Sequence, residues 1–171
     1  MAFIERKTNF LSIFMIITID GPAGVGKTIT AKKLASKLGY QYLDTGAMYR
    51  AATYFFIQHA TDITSENQVR KMLDILNLEL DFTSNDSITI LLDGKDISLL
   101  IRSKAVTDAV SKVSALKSVR EKMVKIQKDT TKNGNFIVEG RDIGTVVFPD
   151  TKYKFFLVAD YDTRAKRRFK D

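Results

Sequence analysis

Apolar and polar positions follow two rhythms along the chain. The first apolar run, Phe10 to Ile19, stands behind Glu5-Arg6-Lys7. It is about half the roughly 20 residues needed to span a bilayer. A basic-then-apolar start also has the form of a secretory leader. No polar processing region separates it from Asp20-Gly21-Pro22, however, and cleavage there would remove a strand. The pattern therefore predicts a buried strand from Met15 to Asp20, with residues 1–14 as an N-terminal extension. After a glycine-rich turn, Ile29, Ala31, Leu34, Ala35 and Leu38 recur at helical spacing, and Gly39 supplies a stop. Tyr40 to Leu43 reads as a strand and Ala47 to His59 as a helix. Strand, loop, helix, strand, helix is the opening of an α/β domain with a parallel sheet.

The rhythm then changes. Ser65 with Gln68 forms a capping box before a helix through Leu76. Leu78–Phe82 and Ile88–Leu92 flank the polar segment Thr83-Ser84-Asn85-Asp86-Ser87, which predicts an antiparallel hairpin. Asp93-Gly94 adds a turn before Lys95–Ser98. Two helices are expected over Lys104–Leu116 and Val119–Thr131, the second behind a capping box of Ser118 and Glu121. An antiparallel hairpin inside an α/β pattern predicts an inserted subdomain over 62–132, with the core formed by 15–61 and 133–171. The α/β rhythm returns in strands at Phe136–Val138 and Lys154–Ala159. A final basic helix, Thr163 to Asp171, is capped by Asp162 in this reading.

Composition narrows the chemistry. The 171 residues are 44% hydrophobic and 27% charged, an ordinary globular balance. Cysteine is absent and His59 is the lone histidine, which excludes disulfides, Cys-ligated zinc, iron–sulfur clusters and a thiol nucleophile. The net charge of +7 suits anionic partners.

Gly21-Pro22-Ala23-Gly24-Val25-Gly26-Lys27-Thr28 matches G-x-x-x-x-G-K-[ST] in full, between an apolar strand and an amphipathic helix. Glycines allow a tight turn in which successive N–H groups converge on phosphate oxygens, and the helix N-terminus adds partial positive charge. Lys27 is expected on the β- and γ-phosphates of ATP, Thr28 on Mg2+, and residues 21–28 with Ile29 in the ATP site. The alternative is an ordinary glycine-rich turn. An Asn-Lys-x-Asp guanine reader is absent, which argues against a GTPase. Two further segments follow strand ends and so belong on the same rim. They are Asp44-Thr45-Gly46-Ala47-Met48-Tyr49-Arg50 and Glu139-Gly140-Arg141-Asp142-Ile143-Gly144. Arginine suits bidentate phosphate binding; the plainer alternative is a set of loop salt bridges, Arg141 with Asp142 for instance.

Together with Ile101-Arg102, Val119-Arg120 and the continuation Thr145 to Asp150, these runs resemble the bacterial-type cytidylate kinases, within the nucleoside monophosphate kinases. The resemblance implies a P-loop NTPase fold whose insertion binds the monophosphate. It implies transfer of phosphate from ATP, with Mg2+, to CMP or dCMP. Arg50 and Arg141 would clamp the acceptor phosphate, and Thr45 would contact sugar or phosphate. Ser111 and Arg120 would read the cytosine edge near Asp142. Glu139 would orient Mg2+-bound water or contribute to the base pocket. Arg164, Arg167 and Arg168 would begin a mobile lid, with Lys27, Arg141, Arg164 and Arg168 serving catalysis. The family extends past the point where this sequence stops, so the reading expects the rest of the lid and the last core elements to be missing and activity to suffer. A cytoplasmic monomer without nucleic-acid or membrane partners completes the expectation. The competing readings are another small-molecule kinase, specific for uridylate or adenylate, and a P-loop fragment that binds nucleotide or nucleic acid without turnover.

Overall fold

The computed structural model describes residues 14–82 and 88–170, except the side chains of Arg168 and Lys170. Four parallel strands form the main sheet: β1 (Ile16–Asp20), β2 (Gln41–Asp44), β6 (Phe136–Glu139) and β7 (Tyr153–Phe156), in the order β2-β6-β1-β7. Because the register aligns Asp44 with Glu139 and Ile19 with Glu139, the strand ends share one rim. Side-chain alternation divides the sheet into two faces. Ile17, Ile19 and Ile137 pack on Ala31 and Ala35 of helix α1 (Lys27–Leu38). Phe136 and Val138 point the other way, into a larger core with Met48, Phe55 and Phe56 of α2 (Thr45–Gln58).

That larger core runs without interruption into the middle of the chain. It takes in α3 (Glu66–Ile75), an antiparallel sheet of β3 (Leu78–Asp81), β4 (Thr89–Leu92) and β5 (Lys95–Asp96), α4 (Lys104–Ala115) and α5 (Lys117–Thr130). The turn joining β3 to β4, Thr83–Ser87, lies outside the described residues, as do residues 1–13 of the proposed extension. Asp93 and Gly94 both have positive φ (49° and 73°), the conformation that a two-residue hairpin turn requires.

Several local expectations need correction. Helix α2 begins two residues earlier than the apolar spacing suggests, because the Asp44 carboxylate accepts from Ala47 N at 3.1 Å and caps it. Ser65 caps α3 as expected, accepting from Gln68 N, but Gln68 Oε1 accepts from Asp62 N, so that box is only half closed. Ser118 does not cap: it is buried within the first turn of α5, and its hydroxyl donates to Glu66 Oε2 at 3.5 Å. Asp160, not Asp162, caps the last helix α6 (Tyr161–Lys170), accepting from Thr163 N at 2.7 Å.

Candidate active site

The loop between β1 and α1 needs its glycines. Gly21, Gly24 and Gly26 have φ of 145°, 80° and 95°. A Cβ on Gly21 would stand 2.4 Å from the backbone oxygen of Leu157. Lys27 folds over the loop and donates to the carbonyl of Pro22 at 2.9 Å. Burial is the main cause that lowers its pKa; the nearby charge of Arg141 pushes the same way, while Glu139 opposes. An ammonium so placed gains when a polyanion arrives to share its desolvated position.

Glu139 is the hub of the rim. Its carboxylate accepts from Thr28 Oγ1 at 2.8 Å and from Tyr42 Oη at 2.6 Å. Burial raises the Glu139 pKa above the usual carboxylate range, and the Tyr42 and Thr28 hydrogen bonds counter the rise. Tyr42, largely desolvated, has its phenol pushed far up, so it remains a donor at any working pH. The buried Thr45 hydroxyl donates to the Glu139 backbone oxygen at 2.7 Å, tying α2 to β6 rather than standing open to a ligand. The loop after β6 is held by Asp20. Its two carboxylate oxygens accept from Ile143 N at 2.9 Å and Gly144 N at 2.8 Å, at the head of a wide helical turn, Ile143–Val147.

A cavity of about 850 Å³ opens beside the loop. The loop contributes Gly24 and Gly26 to Ile29; Arg50, Arg102, Thr107 and Arg167 complete the lining. Arg50 is bracketed, its Nη1 donating to Thr107 Oγ1 at 3.0 Å and to the Ile101 carbonyl at 3.3 Å. Four cations and no carboxylate thus converge on one space, an arrangement that favours a polyanion.

The remaining expected residues sit elsewhere. Ser111 is exposed on α4, outside that lining. Arg120 and Asp142 pair with each other, joining α5 to the loop after β6. Their side chains are 39% and 36% exposed, so the pair adds little stability and can open cheaply for a ligand. Both charges act on Tyr49, whose pKa is raised chiefly by burial. Arg141 is exposed. Arg164 and Arg167 donate to the loop carbonyls of Ala23 (3.0 Å) and Gly24 (3.2 Å), so α6 buttresses the phosphate loop from outside. Arg168's side chain lies outside the described residues. Sequence reading missed Asp20, Tyr42 and Thr107 as contributors, and Arg102 entered it only within a matched run. The one signal available was Asp20's place at the strand end before the loop.

Among the described residues no helix is long and apolar enough to cross a membrane, and no group of three His, Asp or Glu residues could hold a metal by itself. Residues 17–171 match the family model described as cytidylate kinase. The chain is 46% identical over 155 residues to the cytidylate kinase of Protochlamydia amoebophila, covering 91% of this chain and 68% of that protein. Over 165 residues it is 44% identical to the cytidylate kinase of Lactobacillus gasseri, covering 96% and 71%. A bifunctional pantoate ligase/cytidylate kinase of Prochlorococcus marinus is 48% identical over 153 residues, which is 90% of this chain and 30% of that longer protein. A strand-bounded phosphate loop, a rim of paired carboxylates and cations, and these matches over nine-tenths of its length agree: the chain belongs to the cytidylate kinase family.

Proposed function

We propose that the chain transfers the γ-phosphoryl group of ATP to CMP or dCMP, giving CDP or dCDP and ADP. The observation that carries this reading is the acid-free cationic cavity between the phosphate loop and bracketed Arg50. ATP lies with its phosphates on the backbone N–H groups of residues 21–28 and on Lys27. The acceptor phosphate lies on Arg50. A phosphate oxygen of CMP, already anionic near pH 7, attacks the γ-phosphorus as the bond to the β,γ-bridging oxygen breaks, so no general base is required. The protein's task is to bring two polyanions together and stabilise the charge on the moving group. Lys27 and Arg141, close enough to lower the Lys27 pKa, serve that charge. The lid arginines Arg164 and Arg168 join them in this reading.

The Thr28 hydroxyl and the Glu139 carboxylate, 2.8 Å apart at the loop's helix end, are hard oxygen donors that fit Mg2+. When bound, the ion neutralises β- and γ-phosphate charge. Thr28 would turn from Glu139 toward it, while Tyr42 keeps the carboxylate oriented. Arg120, Asp142 and Ser111 read the cytosine edge once the Arg120–Asp142 pair opens, and Thr45 acts by holding the rim. The reading places the protein in the cytoplasm as a monomer.

Titration of ATP and CMP, with a coupled assay of CDP formation, tests this. Lys27→Met should weaken ATP binding and abolish turnover while circular dichroism stays unchanged. Arg50→Met should weaken CMP by about tenfold to a hundredfold, the loss of a charged hydrogen-bond partner, and leave ATP alone. Equal loss of both ligands in Arg50→Met sinks the two-site arrangement. Binding of ATP without CMP binding or CDP formation sinks the kinase reading.

A further inference from the structure

Arg102 ends a short helical turn, Leu100–Arg102, whose middle residue, Ile101, is buried in the main core. The backbone is therefore anchored while the guanidinium stands exposed and lines the cationic cavity. Its side chain makes no hydrogen bond or ion pair among the described residues. Two other arginines do find carboxylates among the described residues, Arg70 with Glu66 and Arg120 with Asp142. Leaving one without a counter-charge beside Lys27, Arg50 and Arg167 costs like-charge repulsion, which an anionic ligand repays.

Which anion follows from position. The Ile101 carbonyl accepts from Arg50, so residues 101 and 102 belong to the acceptor side of the cavity. The donor polyphosphate already has the loop N–H groups, Lys27 and Arg167. A phosphate monoester carries a charge of about −1.5 to −2 near pH 7. Arg50 alone leaves up to half of that unbalanced, and Arg141 is not among the residues lining this space. We infer that Arg102 is a substrate-contacting residue that binds the monophosphate of the acceptor nucleotide together with Arg50. This rests on the kinase reading above. Ile101 then has two roles, since its side chain fixes the turn and its carbonyl orients Arg50. The two guanidiniums approach one phosphate from neighbouring positions.

Isothermal titration of the full chain with CMP, cytidine and ATP tests the assignment. Arg102→Gln should weaken CMP at least tenfold and leave cytidine and ATP within twofold. Arg102→Lys, which keeps the charge but not the fork, should recover part of the loss. Lys104→Gln removes an equal charge two residues away, outside the cavity, and should leave all three ligands unchanged. Unaltered CMP binding in Arg102→Gln, or an equal fall for ATP, overturns the assignment alone. A wild-type chain that binds ATP and not CMP overturns the kinase reading and this inference with it.

Discussion

The two neighbours of β1 in the main sheet have opposite fates. β6 is flanked by β2 and β1 and is buried at every position; among the described residues β7 is an edge, and it is exposed at every position. Each has one charged residue among three apolar or aromatic ones, Phe-Ile-Val-Glu in β6 and Tyr-Lys-Phe-Phe in β7, so hydrophobicity does not separate them. Neighbours do. Enclosure on both sides lets β6 end in a carboxylate whose two oxygens are fixed by Tyr42 and Thr28, and lets the loop after it hang on Asp20. The β7 edge contributes backbone, with Leu157 N donating to the Asp20 carbonyl at 2.8 Å, but its side chains Phe155 and Phe156 hold nothing in place. Chemistry that needs fixed geometry sits where the sheet is doubly supported.

The sharpest way to break that contrast is Asp20→Ala. It removes an acceptor common to two buried backbone N–H groups. Each hydrogen bond to a charged group is worth about 1.5–3 kcal/mol, so the loss should be about 3–6 kcal/mol, a large share of a domain's stability. Urea unfolding measures it. Asp20→Asn keeps the shape but sets an amide N–H₂ against one N–H, and should recover less than half. A loss under about 1 kcal/mol for the alanine variant would show that the loop after β6 needs no such anchor.

How far these features can be read from sequence depends on how local they are. The phosphate loop, the Gly39 stop and the Asp93-Gly94 turn are set by adjacent residues, and all appear as expected. The Asp20 anchor joins residues 123 and 124 positions apart, and only Asp20's place at the strand end before the loop hints at it. Tyr42 looks like one more strand aromatic until β2 lies beside β6. Ser118 shows the converse error: the capping motif is locally sound, yet Glu66 on another helix takes the hydroxyl. Arg102 carries no periodic or turn signal, being an exposed residue in a single turn, and only the cavity gives it meaning. Ser111 and Arg120 were singled out by family likeness alone; the structure leaves Ser111 outside the lining and gives Arg120 to Asp142.

A smaller effect sharpens the comparison at Glu139. Burial raises its pKa and the Tyr42 hydroxyl holds it down, so Tyr42→Phe should raise it further. The sign follows from proton linkage. A carboxyl with a raised native pKa binds more protons folded than unfolded, so its contribution is full below the unfolded pKa and is lost as pH rises through the native one. Tyr42→Phe should therefore cost most, about 1.5–3 kcal/mol, on the alkaline side of the Glu139 titration, where the carboxylate is charged, and less as pH falls into the ordinary carboxylate range, where its raised pKa keeps it protonated in both proteins. Urea unfolding across that range reads the difference. A deficit independent of pH would mean that the hydroxyl acts through packing and not through the carboxylate.

The smallest expected effect lies on β7. Phe156 is 66% exposed, so its ring has little buried area to lose. Phe156→Lys should change unfolding stability by no more than about 0.5 kcal/mol, the range of surface substitutions away from special features. The backbone pairing of Phe156 with Asp20 does not involve the side chain and should persist. Association should respond instead. An exposed edge strand with apolar side chains invites pairing between molecules, and a lysine there is the usual deterrent. Light scattering against concentration should fall in the variant while the urea midpoint holds. A loss above about 1 kcal/mol would mean that the ring is packed in solution, and the edge would then resemble the centre of the sheet more than this structure allows.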